Sequence, residues 1–478
     1  MGNRDPEATW TYHDGTKHSS ESIRSSRHYL DWPNQPLPFK IYTTLPPIPL
    51  PRESAPPPLP ALTAIVDPGR EARRDRAPDL QTLAALFGLA AGITKRRTYP
   101  GGEYHFRAAA CTGALYHIEL YLVCGDLPDL PAGVYHFGVH DFALRRLRAG
   151  DFREVVERAS GGEAAITAAP AVAILTTTYW RNAWKYQARA YRHAFWDGGT
   201  ILANLLAVAA AQELPTRVVC GFADGQVNRL LDLDPEREAA IALVPLGDRG
   251  AAGIPPGPDV APLGLPTERL SRREVDYPAI RAMHAASSLT PEEVSGWRGN
   301  PPPAAMPPPA GRLIPLSPHG AGELPSDSIA EVIRRRGSTR RFSRAPIGIQ
   351  QLFTILDRAT RDIPADFLSR AGDTLCAPYL IVHAVEGLPA GAYVFHRERL
   401  SLELLREGNF RREAGYLGLE QELPADASVN VYFLADLPPI LERLGNRGYR
   451  AAQLEAAIRA GKIYLAAYAQ RLGATGLT

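Results

Sequence analysis

Apolar residues recur at spacings of three and four over LQTLAALFGLAAGIT, which predicts a helix from Asp79 that stops near Gly92. An irregular stretch, KRRTYPGGEYHFRAAACTGA, follows, and LYHIELYLVC then alternates as a strand does. Gly133 to Phe137 and Phe142 to Leu147 predict two short strands around a tight turn. Asp151 to Ala159 is amphipathic, Ala171 to Thr178 is a continuous apolar and threonine run suited to a buried strand, and Ala240 to Leu246 is another strand. Between these strands lies Tyr179 to Leu214, which begins as an aromatic and basic run and becomes a nearly all-apolar helix.

The same order returns later in the chain. Ser328 to Thr360 predicts helix, basic loop and helix, after which PYLIVHAV, LPAGAYVF with LSLELL, VNVYFLA and the run Asn446 to Leu472 repeat the earlier series. The two LPAG segments, Leu130 and Leu388, and the two Tyr-Arg pairs, Tyr191 and Tyr449, share an offset of 258. A tandem duplication of an α+β unit explains this. The expected organisation is a proline-rich N-terminal arm at 1–78, a first unit at 79–247, a proline-rich linker at 248–325 with one short helix near Tyr277 to Ala286, and a second unit at 326–478. The second unit is degenerate and shorter, ending at Gly473 to Thr478 where the first continues through VVCGFADGQVNRLLDLD to its last strand.

Composition narrows the function. A 45% apolar and 22% charged chain of 478 residues is expected to be globular with more than one core. Its 53 basic and 51 acidic side chains balance too evenly for the basic face that nucleic-acid binding needs. The polar start lacks a secretory pattern, and the apolar run Ile201 to Ala211 is too short for a membrane span of ~20 residues. Cys111, Cys124, Cys220 and Cys376 lie far apart without a CxxC pair, so neither a zinc site nor a disulfide framework is expected, and a reducing cytoplasm is.

Three segments carry chemistry. Arg336-Gly337-Ser338-Thr339-Arg340 places two guanidinium groups around a hydroxyl, a set suited to a phosphate. Arg107 to Tyr121, RAAACTGALYHIELY, contains Gly113, where a backbone can approach a flat ring closely. Lys185-Tyr186 offers two groups able to move a proton, and adding the repeat offset gives Arg443 and Leu444, so the pair is confined to the first copy.

These segments resemble the nitroreductase-like flavoenzymes, and among them the SagB/ThcOx-type branch that includes peptide azoline dehydrogenases. RxSxR is the element most typical of that superfamily. Arg107 and Gly113 match the family loop R-x-x-P-S-x-G-x-x-x-P, whereas Ala110, Cys111 and His117 depart from it. The resemblance implies two α/β sandwich domains forming an internal pseudo-dimer, with FMN between them held by Arg107, Cys111, Thr112, Gly113, Arg336, Ser338 and Arg340. The first copy keeps the loop and the second keeps the RxSxR arm, so one FMN site per chain is expected. Lys185 and Tyr186 resemble the Lys-Tyr pair of azoline dehydrogenases and are the expected catalytic residues, acting on a small-molecule or peptide substrate that a carrier or leader could deliver. A further homodimer is compatible with the sequence.

Other residues weigh less. Trp180, Trp184 and Trp196 could line a substrate channel, but aromatics beside a buried helix more often form core. Asp197 corresponds to Glu455 and is expected to be a structural partner or cap, and Asn204 to bond a backbone or neighbouring helix. Lys17 and His18 are expected in solvent, Cys111 is expected to be a small buried residue, and Gly198-Gly199 lacks the surroundings of a dinucleotide fingerprint. Two alternative functions stay open: a nitro or quinone reductase drawing hydride from NAD(P)H, and a flavin-free binding protein of the same fold.

Overall fold

The computed structural model describes residues 2–66, 75–99, 102–250, 253–298, 308–368, 370 and 372–477. Its strands are β1 (Ile48–Pro49), β2 (Ile93–Tyr99), β3 (Gly102–Arg107), β4 (Ile118–Cys124), β5 (Gly133–Gly138), β6 (Ala143–Ala149), β7 (Ala171–Thr178) and β8 (Glu238–Leu246), then β9 (Arg312–Pro315), β10 (Ala377–Val382), β11 (Gly391–His396), β12 (Ser401–Glu407) and β13 (Val429–Leu434). The first sheet has the order β1-β6-β5-β4-β7-β8 and the second β13-β10-β11-β12-β9. All the pairings within both sheets are antiparallel.

The duplication is visible element by element. At the offset of 258, β5 and β6 superimpose in number on β11 and β12, and the helix Tyr179–Tyr186 on Leu437–Leu444. Even the irregularities repeat: the register slips at Val134/Tyr135 and at Ala392/Tyr393, and Phe142 and Leu400 both take positive φ in the hairpin turns. The protein is thus two tandem α+β units of one fold.

The two units meet along the helices Ala190–Ala211 and Asn446–Ala469, which touch through equivalent residues. A Cβ added to Gly199 would lie 2.4 Å from the Ala457 Cβ, and one added to Gly461 would lie 2.5 Å from the Ala203 Cβ. Residues 199 and 457, and 203 and 461, are equivalent in the repeat, so a local two-fold axis passes between these helices. Each layer pairs one glycine with one alanine, which lets the backbones approach closely. The charged contribution to the same boundary is Asp224 of the first unit, buried between Arg447 and Arg450 of the second at 2.8 and 2.7 Å. The window of Tyr179–Ala211 that passes a membrane-span test by length and composition is 83% buried here, as suits a core helix.

Several expectations change. The stretch around 95–107 is a two-stranded hairpin, β2 with β3, because Lys95 to Thr98 pair across to Glu103 to Phe106. β4 is buried along both faces despite its alternating pattern, because its polar residue Glu119 is neutralised inside by Arg181 at 2.5 Å and hydrogen-bonded to His136 at 3.0 Å. The region at 248–325 is more than a connector. Besides Pro278–Ala286 it holds the helix Pro291–Arg298, whose Val294 and Trp297 are buried, and β9, which pairs with β12. The arm contains the helix Glu7–Thr16 and runs across both units: Thr9 donates to Asn446 at 2.6 Å, and Ile48–Pro49 pairs with β6. The first-unit counterpart of the RxSxR arm, GREARRDRAPDL at 69–80, lacks that pattern, and its first half, 69–74, falls outside the described residues.

Candidate functional site

A small, narrow cleft in the first unit is lined by Arg107, Cys111, Tyr116, Ile118, Asp197 and Ile201 among others. Its wall is the loop after β3, and one buried carboxylate holds that loop. Asp197 accepts from the Thr112 amide at 2.9 Å, the Thr112 hydroxyl at 2.8 Å, the Cys111 thiol at 3.0 Å and one ring nitrogen of His117 at 2.9 Å. The other His117 nitrogen meets the Thr177 hydroxyl at 2.9 Å. In the second unit Glu455 does the same for Thr374 and Leu375, at 2.6 Å each. The acidic position is therefore a shared loop anchor. Burial and the Asp197 charge push the Cys111 thiol well above its ordinary pKa, so it sits as a thiol and not as a nucleophilic thiolate. Donor atoms of Cys111, His117 and Asp197 lie within 4.8 Å of one another, a proximity these hydrogen bonds already explain.

Gly113 takes φ +62°, and a Cβ there would stand 2.9 Å from the Tyr186 hydroxyl. That contact brings two of the three chemical segments together. The third arrives from the second unit: Arg336 donates to the carbonyls of Ala108 at 2.9 Å and Arg107 at 3.0 Å, its guanidinium 5.6 Å over the Tyr464 ring. The Ser338 hydroxyl lies 3.2 Å from that of Tyr464. Arg340 is exposed and has no ion pair among the described residues, yet its charge reaches Tyr186. Arg107 is buried between Phe39 and Tyr116, donates to the Pro38 carbonyl, and leaves its Nε without a partner.

Tyr186 and Lys185 end the helix Tyr179–Tyr186. The next residue, Gln187, has φ 51° and ψ −141°, a conformation that normally requires glycine, and its equivalent is Gly445 with φ 64°. Outside contacts over-determine the turn: Tyr12 of the arm donates to the Ala188 carbonyl at 2.7 Å, Arg189 donates to the Thr16 carbonyl at 2.7 Å, and Tyr277 bonds the Gln187 side chain. Burial, reinforced by Asp197, pushes the Tyr186 phenol up to about 12. Lys185 is half-buried with its Nζ 5.4 Å over the Tyr186 ring.

Beneath Tyr186 lies His193, edge-on at 4.6 Å and bonded to Asn182 at 2.8 Å, with its other nitrogen unpartnered and its pKa driven well down by burial and then by Arg189. Sequence reasoning passed over this histidine. The spacing 182, 186, 189, 193 is helical and could have signalled a shared face, had the break at Gln187 not hidden the periodicity. Trp180 and Trp184 are buried, but they also form the floor of an open groove beside the arm. Trp196 bonds Gln453 across the boundary and stacks on His193. Lys17 pairs with Asp14 on the surface, 2.7 Å away. Asn204 donates to the Leu89 carbonyl at 3.0 Å.

Two features present suit a phosphate-bearing cofactor. Arg107 Nε is a buried donor without a partner, and Arg340 is an exposed cation with no ion pair among the described residues, its charge reaching Tyr186.

Residues 77–248 match the model of the Nitroreductase family. A protein of Methanocaldococcus jannaschii described as a nitroreductase is 24% identical over 168 residues, which is 35% of this chain and 80% of that one. The microcin B17-processing protein McbC of Escherichia coli is 29% identical over 158 residues, 32% of this chain and 54% of McbC, so the match spans about half of that relative. A crystal structure from Anabaena variabilis, also described as a nitroreductase, superimposes over 98% of this chain and 92% of its own with a TM-score of 0.75 and 26% identity. The first of the two repeated units is thus a nitroreductase family domain.

Proposed function

We propose that this protein is an FMN-dependent dehydrogenase that converts a thiazoline or oxazoline in a peptide or peptide-derived product to the azole. The observation that carries this is the Lys185-Tyr186 pair. It occurs in one copy only, it stands on a strained turn, and it meets Gly113 in the loop that the second unit's Arg336 also touches. The similarity to McbC, a protein named for processing microcin B17, supports a peptide-derived substrate.

Aromatising an azoline removes one carbon-bound proton and one hydride. When bound beside this loop, FMN would supply the hydride acceptor. Arg107, Gly113, Ser338 and Arg340 would hold it, with Cys111 and Thr112 shaping the loop through Asp197. Arg336 joins the two units by its bonds to the loop carbonyls. Tyr186 keeps its proton at neutral pH and so donates a hydrogen bond to the substrate heteroatom. Lys185 has no carboxylate within ion-pair distance among the described residues, and in its neutral amine form it would take the carbon-bound proton at its Nζ, becoming the ammonium.

The test begins with an absorption spectrum and flavin identification on purified protein, where one FMN per chain is expected and two tightly held FMN would refute the single composite site. Lys185→Ala with Tyr186→Phe should abolish azole formation while leaving flavin bound. Unchanged azole formation would refute their role. The relatives described as nitroreductases favour a second reading, a reductase fed by NAD(P)H, and rapid bleaching of the bound flavin by NAD(P)H would select it.

A further inference from the structure

Beside the strained turn lies a groove of about 460 Å³, within the range of small-ligand sites. Arm residues Arg27 to Asn34 form one side, Trp180, Trp184 and Gln187 the floor, and Arg273 to Tyr277 the other side. The floor is rigid. Trp180 donates to the Ser271 hydroxyl at 2.8 Å, Trp184 to the Asp31 carbonyl at 3.0 Å, and Asn34 exchanges bonds with the backbone of Arg273 at 2.8 and 3.0 Å. The rim is open and aromatic: Tyr29 is 80% exposed, and Trp32, which packs edge-on to Trp184 at 5.3 Å, is 61% exposed. Large aromatics left in water next to a concave floor mark a surface that something covers.

The charge at the rim says what. Arg27 and Arg273 are exposed, and neither has an ion-pair partner among the described residues. The acidic side chain of the lining is Asp31, and His28 completes the set. Free guanidinium groups beside aromatic faces select carboxylates next to apolar or aromatic side chains. A pyrophosphate fits less well. No glycine-rich turn lines the groove among the described residues; the N-cap Tyr277 of Pro278–Ala286 lies on one side, but at the floor the C-terminal end of Tyr179–Tyr186, where Gln187 sits, presents carbonyls that repel anions. Arginines at the rim, away from that helix end, still receive carboxylates.

We infer that this groove is a second binding site, one that holds an extended acidic peptide segment carrying an aromatic or apolar side chain and so presents the flanking part of the substrate at Lys185-Tyr186. The inference rests on the dehydrogenase reading for its role and on the groove alone for its ligand. Trp180 and Trp184 of the floor lie on the helix that carries the Lys-Tyr pair, and Gln187 follows it directly, so a peptide held on the floor is fixed relative to the pair. The groove lies in the first unit's half, where arm residues 27–34 and residues 273–277 build its sides.

The experiment is a titration of the full chain, read by tryptophan fluorescence, with the blocked peptides acetyl-FGDD-amide, acetyl-FGNN-amide and acetyl-FGKK-amide. The acidic peptide is expected to bind about fivefold or more tighter than the neutral one, the advantage expected of two exposed charged pairs, and the basic peptide weakest. Arg27→Ala with Arg273→Ala should erase the acidic advantage without changing the neutral peptide, and Trp32→Ala should weaken both. All three altered side chains are exposed, so the fold is expected to survive, and unchanged circular dichroism checks this. Equal binding of the three peptides, no binding of the acidic one by about 5 mM, or competition by NADPH that the arginine variants remove would each overturn the inference. Lys185→Ala with Tyr186→Phe should leave peptide binding intact. Selective peptide binding by a colourless or inactive protein would therefore sink the dehydrogenase reading alone, whereas a yellow, active protein indifferent to peptide charge would sink the groove alone.

Discussion

Replacing Asp197 separates the anchoring of the cleft loop from its chemistry. In Asp197→Ala the buried Thr112 amide and hydroxyl lose their acceptor, and so does the buried ring nitrogen of His117. Each abandoned buried donor costs about 1–3 kcal/mol, partly recovered by loop movement and water entry, so a loss of about 3–5 kcal/mol is expected. Asp197→Asn should cost only about 1–2 kcal/mol. Its amide oxygen still accepts from Thr112, and His117 can change tautomer, taking the new amide N–H at one nitrogen while donating to Thr177 from the other. Guanidinium unfolding of both variants, with bound flavin measured in parallel, is the assay. The alanine variant should lose flavin and the asparagine variant should keep it. An alanine variant within about 1 kcal/mol of the parent, with flavin retained, would refute the view that this carboxylate holds the loop.

Three further outcomes follow from the same geometry. Gly199→Ala should cost about 2 kcal/mol because its new methyl meets the Ala457 Cβ and backbone, and adding Ala457→Gly should recover more than half, since helix propensities then cancel and the pair is equivalent by the local two-fold; chemical unfolding of the four-variant cycle reads this. Gln187→Gly should stabilise the fold by about 1 kcal/mol, as relief of the left-handed strain exceeds the extra unfolded-state freedom, while lowering turnover at Lys185-Tyr186; thermal unfolding together with azole formation measures both. Lys462 is buried in the second unit, and burial, then Arg459, lower its pKa from 10.5 to about 7. Its folded pKa lies below the unfolded one, so the penalty is full below pH 7 and is relieved as pH rises toward 10.5. Relative to Lys462→Met, the parent should gain roughly 2–4 kcal/mol over that window, and parallel unfolding curves at pH 7 and 10 would test the sign.

Much of the fold could be read along the chain. The constant offset announced two copies, and equivalent hairpins, turns and long helices appear at the predicted numbers because each depends on local periodicity and turn chemistry. Where a second, distant partner decides, the pattern misled. β4 alternates yet is buried on both faces, because Arg181 brings a charge partner and His136 a hydrogen-bond partner to Glu119 from elsewhere. The basic run at 95–97 became a hairpin strand through pairing with 103–106, and the proline-rich middle of the chain supplied β9 to the second sheet.

The same division runs through the candidate site. By itself the sequence determined that there are two units, that Lys185-Tyr186 occurs in one of them, and that Gly113 and the RxSxR arm lie in different copies. Only the tertiary structure decided that these meet. The approach of two helices through Gly199 and Gly461 carries the second unit's Arg336 onto the first unit's loop, and Asp197 and the arm then lock loop and turn in place. Periodicity reports which face of an element is apolar. It carries no information about which distant polar group will satisfy a buried one, and that pairing, made between units, is what assembles the site.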